Sequence, residues 1–188
     1  MILIAIGVLL IIILLKKTRI TKVLKNISAF GILSLLQMYS VDQIVKAFEK
    51  YGDGDPNKLA YILATAWHES RLKPIKEIRA KSGVTRTRQD KYWPSGYYGR
   101  GFVQLTWKYN YAKMSKIVGV DLVKYPDKAL NVPISAKILV YGMMNGTFTG
   151  KALGDYINSR QVDFYMARKI VNGLDRAQLI QSHAQKLV

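Results

Sequence analysis

A chain of 188 residues, 49% of them apolar, is long enough for one domain of about 150 residues and a short appendage. It has no cysteine, which excludes disulfides, thiolate nucleophiles and cysteine-ligated metals, and His68 and His183 form no metal-binding motif. We therefore expect no metal and no cofactor, whereas a net charge of +17 indicates attraction to a polyanion such as nucleic acid, anionic lipid or a cell-wall polymer.

Residues 1–15, "MILIAIGVLLIIILL", form an uninterrupted apolar run. As a helix this run would be about 22 Å long, against a hydrocarbon core of about 30 Å, and snorkelling lysines with local thinning can cover the difference. A cleaved signal peptide would have basic residues before the run and a small-residue cleavage site after it. Here "KKTRITKVLK" follows directly. We predict a membrane anchor at residues 1–15, with the basic residues contacting anionic lipid headgroups.

Residues 16–38 combine this basic collar with an apolar but interrupted stretch. We predict a linking or interfacial helix here, followed by a folded domain over residues 39–188. Ser40 is a candidate N-cap for the first helix of that domain, because apolar residues recur at helical spacing after it.

The segment "DPNKLAYILATAWHESRLKP" gives the clearest helical pattern in the chain. Asp55 can cap the helix, Pro56 suits its first position, and Pro74 cannot continue it. Glu69 projects from the apolar face of this helix at its last turn. Burial and the negative end of the helix dipole both favour the neutral form of a carboxyl group at that position.

The remaining chain is predicted to be mostly helical, with a small extended lobe near residues 78–106. Helical patterns occur near residues 108–118 and 133–145, and again in "DFYMARKIV" and "LDRAQLIQSHAQKL". An irregular, basic stretch follows Glu69 and leads to a Gly-Arg-Gly turn before the helical pattern near residues 108–118.

Glycoside hydrolysis requires two carboxyl groups, of which one is protonated and the other is ionised. Glu69 suits the acid, because an apolar environment favours its neutral form. Glu77 lies in a polar, basic loop that would keep it ionised, and Asp90 is the alternative for the second role. The simpler interpretation is that Glu69 caps or salt-bridges the end of its own helix.

Three sequence blocks, "AWHES", "YYGRGFVQLTWKYNY" and "ARKIVNGLDRA", occur in this order. Together they resemble glycoside hydrolase family 19, which contains plant-type chitinases and many phage endolysins, over roughly residues 40–188. The resemblance implies a lysozyme-like α+β fold with an extended lobe beside the active-site cleft. It also implies an inverting reaction with Glu69 as general acid and Glu77 as general base.

The resemblance further implies residues that position water or sugar: Gln104, Thr106, Asn110 and Asn172. Thr106 would hold the attacking water, and Arg100 would support the cleft wall, since one guanidinium can satisfy several acceptors. After Asn172 the chain reads "NGLDR", where many relatives carry a second glycine. Apart from the resemblance, the loop aromatics Trp93, Tyr97 and Tyr98 are candidates to stack on sugar, and His68 is a candidate hydrogen-bonding neighbour that supports the cleft.

We interpret the protein as a membrane-anchored, peptidoglycan-cleaving glycoside hydrolase of a bacteriophage. Peptidoglycan is preferred to neutral chitin because residues 51–188 alone carry a net +12. One alternative is a lytic transglycosylase that uses Glu69 alone, since "ESRLKP" also resembles the Glu-Ser motif of that group. Another is a non-catalytic, membrane-anchored protein that binds a polyanion, although the basic residues are too scattered to predict a nucleic-acid partner.

The signals for the location of the domain point in different directions. Basic residues directly after an apolar segment favour the cytoplasmic side, whereas peptidoglycan lies outside the cell. Three arrangements reconcile these signals: a phage protein in an internal virion membrane, a phage endolysin held at the host inner membrane until lysis, and export of the domain despite its basic flank. We favour a phage protein in one of the first two forms.

Overall fold

The computed structural model describes residues 20–188, so the predicted anchor at residues 1–15 lies outside the described residues. No helix within the described range is long and apolar enough to cross a membrane. The helices that position the site are α1 (Leu35–Tyr51), α2 (Pro56–Ser70), α3 (Gly83–Gln89), α4 (Lys108–Val118), α5 (Val132–Met144) and α6 (Ala177–Gln185). The strands are β1 (Ile75–Lys76) and β2 (Arg100–Gly101), and 3-10 helices cover Asn26–Phe30, Trp93–Ser95, Pro126–Leu130, Leu153–Asp155 and Met166–Ile170.

The first domain helix begins earlier than the sequence pattern indicated. Ser34 caps α1 and, with Gln37, forms a capping box, in which each side chain accepts a hydrogen bond from the other residue's backbone N–H. The predicted N-cap at Ser40 is therefore wrong, and the Ser40 hydroxyl instead donates to the Leu36 carbonyl inside the helix. The predicted linking helix is interrupted as well, because Gly31, at φ 90°, ends the preceding 3-10 helix.

Helix α2 follows its sequence signals. Asp55 accepts from the backbone N–H of Asn57, and Pro56 occupies the first helical position. Arg71, in the left-handed conformation at φ 51°, ends the helix three residues before Pro74. Because α2 packs against α1, α5 and α6, nearly all of its side chains from the first turn to Ala66 are buried.

The predicted extended lobe is smaller than expected. It consists of the antiparallel pair β1–β2, with Ile75 opposite Gly101 and Lys76 opposite Arg100. Helix α3 occupies part of the segment that was predicted to be irregular, and the 3-10 helix Trp93–Ser95 occupies another part. The mainly helical architecture with a small two-stranded sheet confirms the predicted class.

The hydrophobic core is continuous from the N-terminal segment to α6. Val23 and Phe30 belong to it, although both were assigned to the linker before residue 39. The two further helical regions predicted near residues 108–118 and 133–145 are α4 and α5. Of the last two predicted helices, "DFYMARKIV" forms only the short 3-10 helix Met166–Ile170, and the final one is α6.

Candidate active site

Glu69 is the penultimate residue of α2, and its side chain is 19% exposed. Nη1 of Arg168 donates to Oε1 of Glu69 at 2.7 Å, and Nε of Arg168 donates to the Asp175 carbonyl at 2.9 Å. The Arg168 side chain is 3% exposed. Glu69 therefore pairs with a residue 99 positions away and not with its own helix end, so the simpler interpretation given above is wrong.

The ion pair bears directly on the proposed acid role of Glu69. The Arg168 guanidinium holds one oxygen of the Glu69 carboxyl group by a charge-assisted hydrogen bond. The bond engages Oε1, so Oε2 is the oxygen that can carry a transferable proton. Arg168 thus fixes the orientation of the carboxyl group. It was not singled out from the sequence, although it lies within the block "ARKIVNG".

The buried pair leads to a stability prediction. Replacing Arg168 with alanine leaves a partly buried carboxylate without its partner, so we expect the free energy of unfolding to fall by about 3 kcal/mol. Urea denaturation of the variant measures this loss. Arg79→Ala, which removes one arm of an exposed pair with Asp90, is the matched control and should change stability little. If both variants lost the same free energy of unfolding, the buried pair with Arg168 would contribute no more to stability than an exposed pair, and the prediction would be wrong.

His68, predicted as a hydrogen-bonding neighbour, directly precedes Glu69 near the end of α2. Its ring makes no hydrogen bond within residues 20–188. Burial lowers the pKa of His68, and the charges of Arg168 and Arg71 lower it further, while Glu69 partly opposes them. Burial also lowers the pKa of His183. Both imidazoles are therefore neutral at neutral pH.

These two histidines predict how stability responds to acid. The unfolded chain binds their protons near pH 6.5, the ordinary pKa of a histidine, whereas the folded chain binds them only at lower pH. Their contribution to stability is thus complete above pH 6.5 and is lost as the pH falls through the lowered pKa values. Urea denaturation between about pH 7.5 and about pH 5 should show this fall, and a His68→Gln/His183→Gln double variant should show a shallower one. If the free energy of unfolding fell with pH as steeply in the double variant, the two histidines would not be the cause of the fall.

Glu77 comes directly after β1 and has three hydrogen-bond donors. Its Oε1 accepts from Nε2 of Gln89 at 2.9 Å and from the Tyr92 hydroxyl at 2.6 Å. Its Oε2 accepts from the backbone N–H of Gly99 at 2.8 Å. Three donors fix the orientation of the Glu77 carboxyl group. This setting differs from that of Glu69, where one guanidinium engages one oxygen.

Gln89 and Tyr92 are functional neighbours that the sequence did not reveal. Gln89 ends α3, and its orientation is fixed because Oε1 accepts from the Ala80 N–H while Nε2 also donates to the Ile78 carbonyl. Burial, followed by the hydrogen bond to Glu77, raises the pKa of Tyr92, so its hydroxyl remains a donor. The signal was missed because α3 was not predicted.

Asp90, the alternative second carboxylate, faces a different environment. Nη2 of Arg79 donates to its Oδ1 at 2.7 Å, and Nε of Arg86 donates to the same oxygen at 2.8 Å. These two hydrogen bonds lower the pKa of Asp90. A carboxylate held by two arginines on the exposed surface is a weak base, so the geometry favours Glu77.

A cavity of about 380 Å³ gathers the polar residues that the sequence associated with sugar. Gln104, Thr106, Asn110 and Asn172 all line it, together with Tyr92. Tyr92 therefore joins the cavity to the Glu77 carboxylate. Gly99 makes a second connection: a Cβ there would lie 2.7 Å from Oε1 of Gln104 and 3.1 Å from Oε2 of Glu77.

Thr106 and Asn110 present unused hydrogen-bonding capacity at this wall. The Thr106 hydroxyl donates to the Gln104 carbonyl at 2.9 Å, which leaves its lone pairs to accept from water. Nδ2 of Asn110 donates to the Thr106 carbonyl at 2.9 Å. Oδ1 of Asn110 is buried and has no partner in the described part of the chain. A buried acceptor without a donor is costly, and a donor on a bound sugar would remove that cost.

The aromatic residues of the cavity differ from those predicted. Tyr97 donates to the Val123 carbonyl, and Tyr98 stacks on Trp93 at 4.3 Å, so both pack within the lobe and do not line the cavity. Trp107 and Tyr109 line it instead. Neither was predicted to contact sugar, but both side chains are exposed at the start of α4.

Arg100 supports the lobe, as expected. Its side chain is 4% exposed; Nε donates to Asp127 at 2.6 Å, and Nη1 donates to the carbonyls of Gly96 and Tyr98 and to the Tyr111 hydroxyl. The Arg100 guanidinium thus stabilises the turn that lies in the sequence between Glu77 and the residues of the cavity wall.

Comparison with known proteins connects this site to a family of chitinases. Residues 76–153 match the family model described as chitinase class I, glycoside hydrolase family 19. Chitinase 4 of Oryza sativa subsp. japonica is 31% identical over 105 residues, which is 53% of this chain and 37% of that protein. An endochitinase of Phaseolus vulgaris is 38% identical over 65 residues, or 34% of this chain and 20% of that protein. The chain thus spans 37% of the length of the first of these relatives and 20% of the second.

Two solved structures share the fold. A bacterial family 19 chitinase covers 79% of this chain, and the chain covers 85% of it, with a TM-score of 0.58 and 20% identity. Chitinase C from Streptomyces griseus HUT6037 covers 90% of this chain, which covers 72% of it, with a TM-score of 0.56 and 19% identity. These similarities show that the chain shares the fold of these two chitinases. The matched residues include Glu77 and most of the residues that line the cavity. Glu69 precedes the matched segment, and Arg168 follows it.

Proposed function

We propose that this chain is an inverting glycoside hydrolase that cleaves peptidoglycan, with Glu69 as general acid and Glu77 as general base. The observation that carries the proposal is the contrast between two carboxyl groups. Glu69 is partly buried at a helix end with one oxygen engaged, whereas Glu77 is held by three donors beside a polar cavity. Such a contrast in environment separates an acid from a base on one protein.

In the proposed reaction, Glu69 donates its proton from Oε2 to the glycosidic oxygen as the bond to the anomeric carbon breaks. Glu77 removes a proton from a water molecule that attacks that carbon from the opposite face. The Thr106 hydroxyl accepts a hydrogen bond from this water and orients it. Inversion requires a gap of about 6.5–9.5 Å between the two carboxyl groups, to leave room for the water.

Glu77 also distinguishes hydrolysis from the transglycosylase alternative. A transglycosylase of the kind considered above uses one carboxyl group and closes the sugar on itself, so it needs no second carboxylate. Three donors that fix an anion next to the cavity favour a base that activates water.

The choice of peptidoglycan rests on charge. The relatives are named chitinases, and chitin is neutral, but this chain has a net charge of +17. Bacterial walls carry carboxylates and often phosphates, which a basic surface attracts at long range.

Salt provides the test of that choice. Turnover of purified walls is expected to fall as sodium chloride rises, because screening shortens the reach of surface charge to about 8 Å near physiological ionic strength. Turnover of neutral N-acetylglucosamine oligomers is the matched control and should respond little. Equal turnover of both substrates, insensitive to salt, would contradict the assignment of peptidoglycan.

The proposal extends to location through the sequence of residues 1–15. An apolar run that leads directly into basic residues supports a chain held in lipid. We propose that it belongs to a phage and lies either in a virion membrane or at the host inner membrane. Detergent extraction of purified virions, followed by detection of this chain, separates these arrangements. Presence in the virion lipid fraction supports the first, and its absence there, with release at lysis, supports the second.

A further inference from the structure

An unusual apolar surface lies at the N-terminal end of α1. It consists of Ile32, Leu35, Leu36, Met38 and Tyr39, and we call it the N-terminal apolar surface. Ile32 is 104% exposed and Leu35 is 85% exposed, and the other three side chains are about half exposed. Single apolar residues are common on protein surfaces, but a contiguous group usually marks a contact with another phase or partner.

The helix geometry shows that the fold does not use these side chains. On the opposite face of α1, Gln37, Val41 and Ile44 are buried against the core. Two turns further along the outer face, Asp42 and Lys46 form an exposed ion pair at 2.8 Å. The outer face of α1 is therefore apolar at its beginning and charged beyond it. A helix packed only against its own domain would carry polar residues along the whole outer face.

The preceding chain points to the occupant of this surface. Residues 1–15 contain no polar side chain other than the thioether of Met1, and five basic residues follow within residues 16–25. Lys22 and Lys25, in the described part of that basic segment, are exposed. Apolar side chains beside lysines are the composition with which interfacial helices meet anionic lipid.

We propose that the N-terminal apolar surface inserts into the headgroup–acyl boundary of an anionic membrane, as a second lipid contact beside residues 1–15. Lys22 and Lys25 then lie at the headgroup level, and the Asp42–Lys46 pair lies in water. Tyr39 suits the boundary, because its ring is apolar and its hydroxyl is polar. The convex start of a helix fits a fluid lipid surface, which needs no complementary shape.

This contact would also orient the site. Phe30 stacks on Trp67 at 4.7 Å, and Nε2 of Gln37 donates to the Arg71 carbonyl at 2.9 Å. Both contacts join the segment that carries the N-terminal apolar surface to the end of α2 that carries Glu69. A membrane held at this surface therefore has a fixed relation to the proposed general acid.

The absence of cysteine makes the test direct. Leu35→Cys and Met38→Cys each provide one site for an environment-sensitive fluorophore in the full chain, and Lys46→Cys provides the control on the same helix face. The labelled chains are reconstituted into vesicles of equimolar phosphatidylcholine and phosphatidylglycerol. We expect emission from positions 35 and 38 to shift to shorter wavelength, to resist iodide and to be quenched by nitroxide-labelled lipid. The label at position 46 should remain accessible to iodide.

Two results would overturn the proposal. Equal quenching by iodide at positions 35 and 46 would show that the surface stays in water. Protection from iodide without quenching by nitroxide lipid would show that protein covers the surface, either a second copy or residues 1–15. The readouts do not depend on catalysis, so failure here leaves the proposed hydrolase untouched.

Discussion

Replacing Glu69 with glutamine is expected to reduce the rate of glycan cleavage by about 10²- to 10⁴-fold, the usual contribution of general acid catalysis. Glutamine keeps an oxygen that can accept from Arg168, so the fold should persist. The free energy of unfolding should nevertheless fall, because the buried guanidinium loses its counter-charge. Rates of reducing-end release from purified walls measure the catalytic effect, and urea denaturation measures the stability effect.

The control for Glu69→Gln is Glu49→Gln, a change of the same chemistry at an exposed position on α1. A second readout separates the acid role from a structural one. An aryl glycoside with a good leaving group needs no proton, so Glu69→Gln should keep much of its rate on that substrate. A uniform loss on natural and activated substrates would point to a damaged site and count against the acid assignment.

Replacing Glu77 with alanine is expected to reduce the rate of glycan cleavage by a similar factor. The cause differs, because this variant cannot remove a proton from the attacking water. The change removes the acceptor of the hydrogen bonds from Gln89, Tyr92 and the Gly99 N–H, and it opens space beside the cavity. Added azide should enter that space and attack the anomeric carbon directly, which restores turnover and forms a glycosyl azide. Activity with and without azide, together with identification of the product, measures the effect.

The matched variant for this experiment is Asp90→Ala, which removes the alternative carboxylate. It should retain nearly full activity and gain nothing from azide, because Arg79 and Arg86 hold Asp90 on the exposed surface. If Asp90→Ala were inactive and rescued by azide, while Glu77→Ala remained active, the base would be Asp90.

Local signals in the sequence account for the parts of the fold that were predicted correctly. Asp55 and Pro56 define the start of α2, and the apolar spacing after them identifies the helix, although it is buried on all sides from Lys58 to Ala66. Since Glu69 follows that spacing, its place at the last turn could be inferred from α2 alone. The predicted N-cap at Ser40 is wrong for a local reason as well, because Ser34 and Gln37 form a capping box that starts α1 earlier.

Long-range contacts could not be read from the sequence in the same way. The Glu69–Arg168 pair joins α2 to a 3-10 helix 99 residues later, and no periodicity specifies such a pairing. Gln89 and Tyr92 reach Glu77 only because α3 and the turn after it fold back over β1. The predicted sugar residues did converge on one cavity, but its aromatic wall came from the exposed beginning of α4.

If two carboxyl groups cleave the glycosidic bond with inversion, the anomeric form of the first product reveals it. Proton NMR during cleavage of a β-linked wall fragment, at times short compared with mutarotation, identifies that product. We expect the new reducing end to appear first as the α anomer. A β anomer would show retention, and an anhydro-sugar end would show a transglycosylase that uses Glu69 alone; either result would contradict the roles given to Glu69 and Glu77.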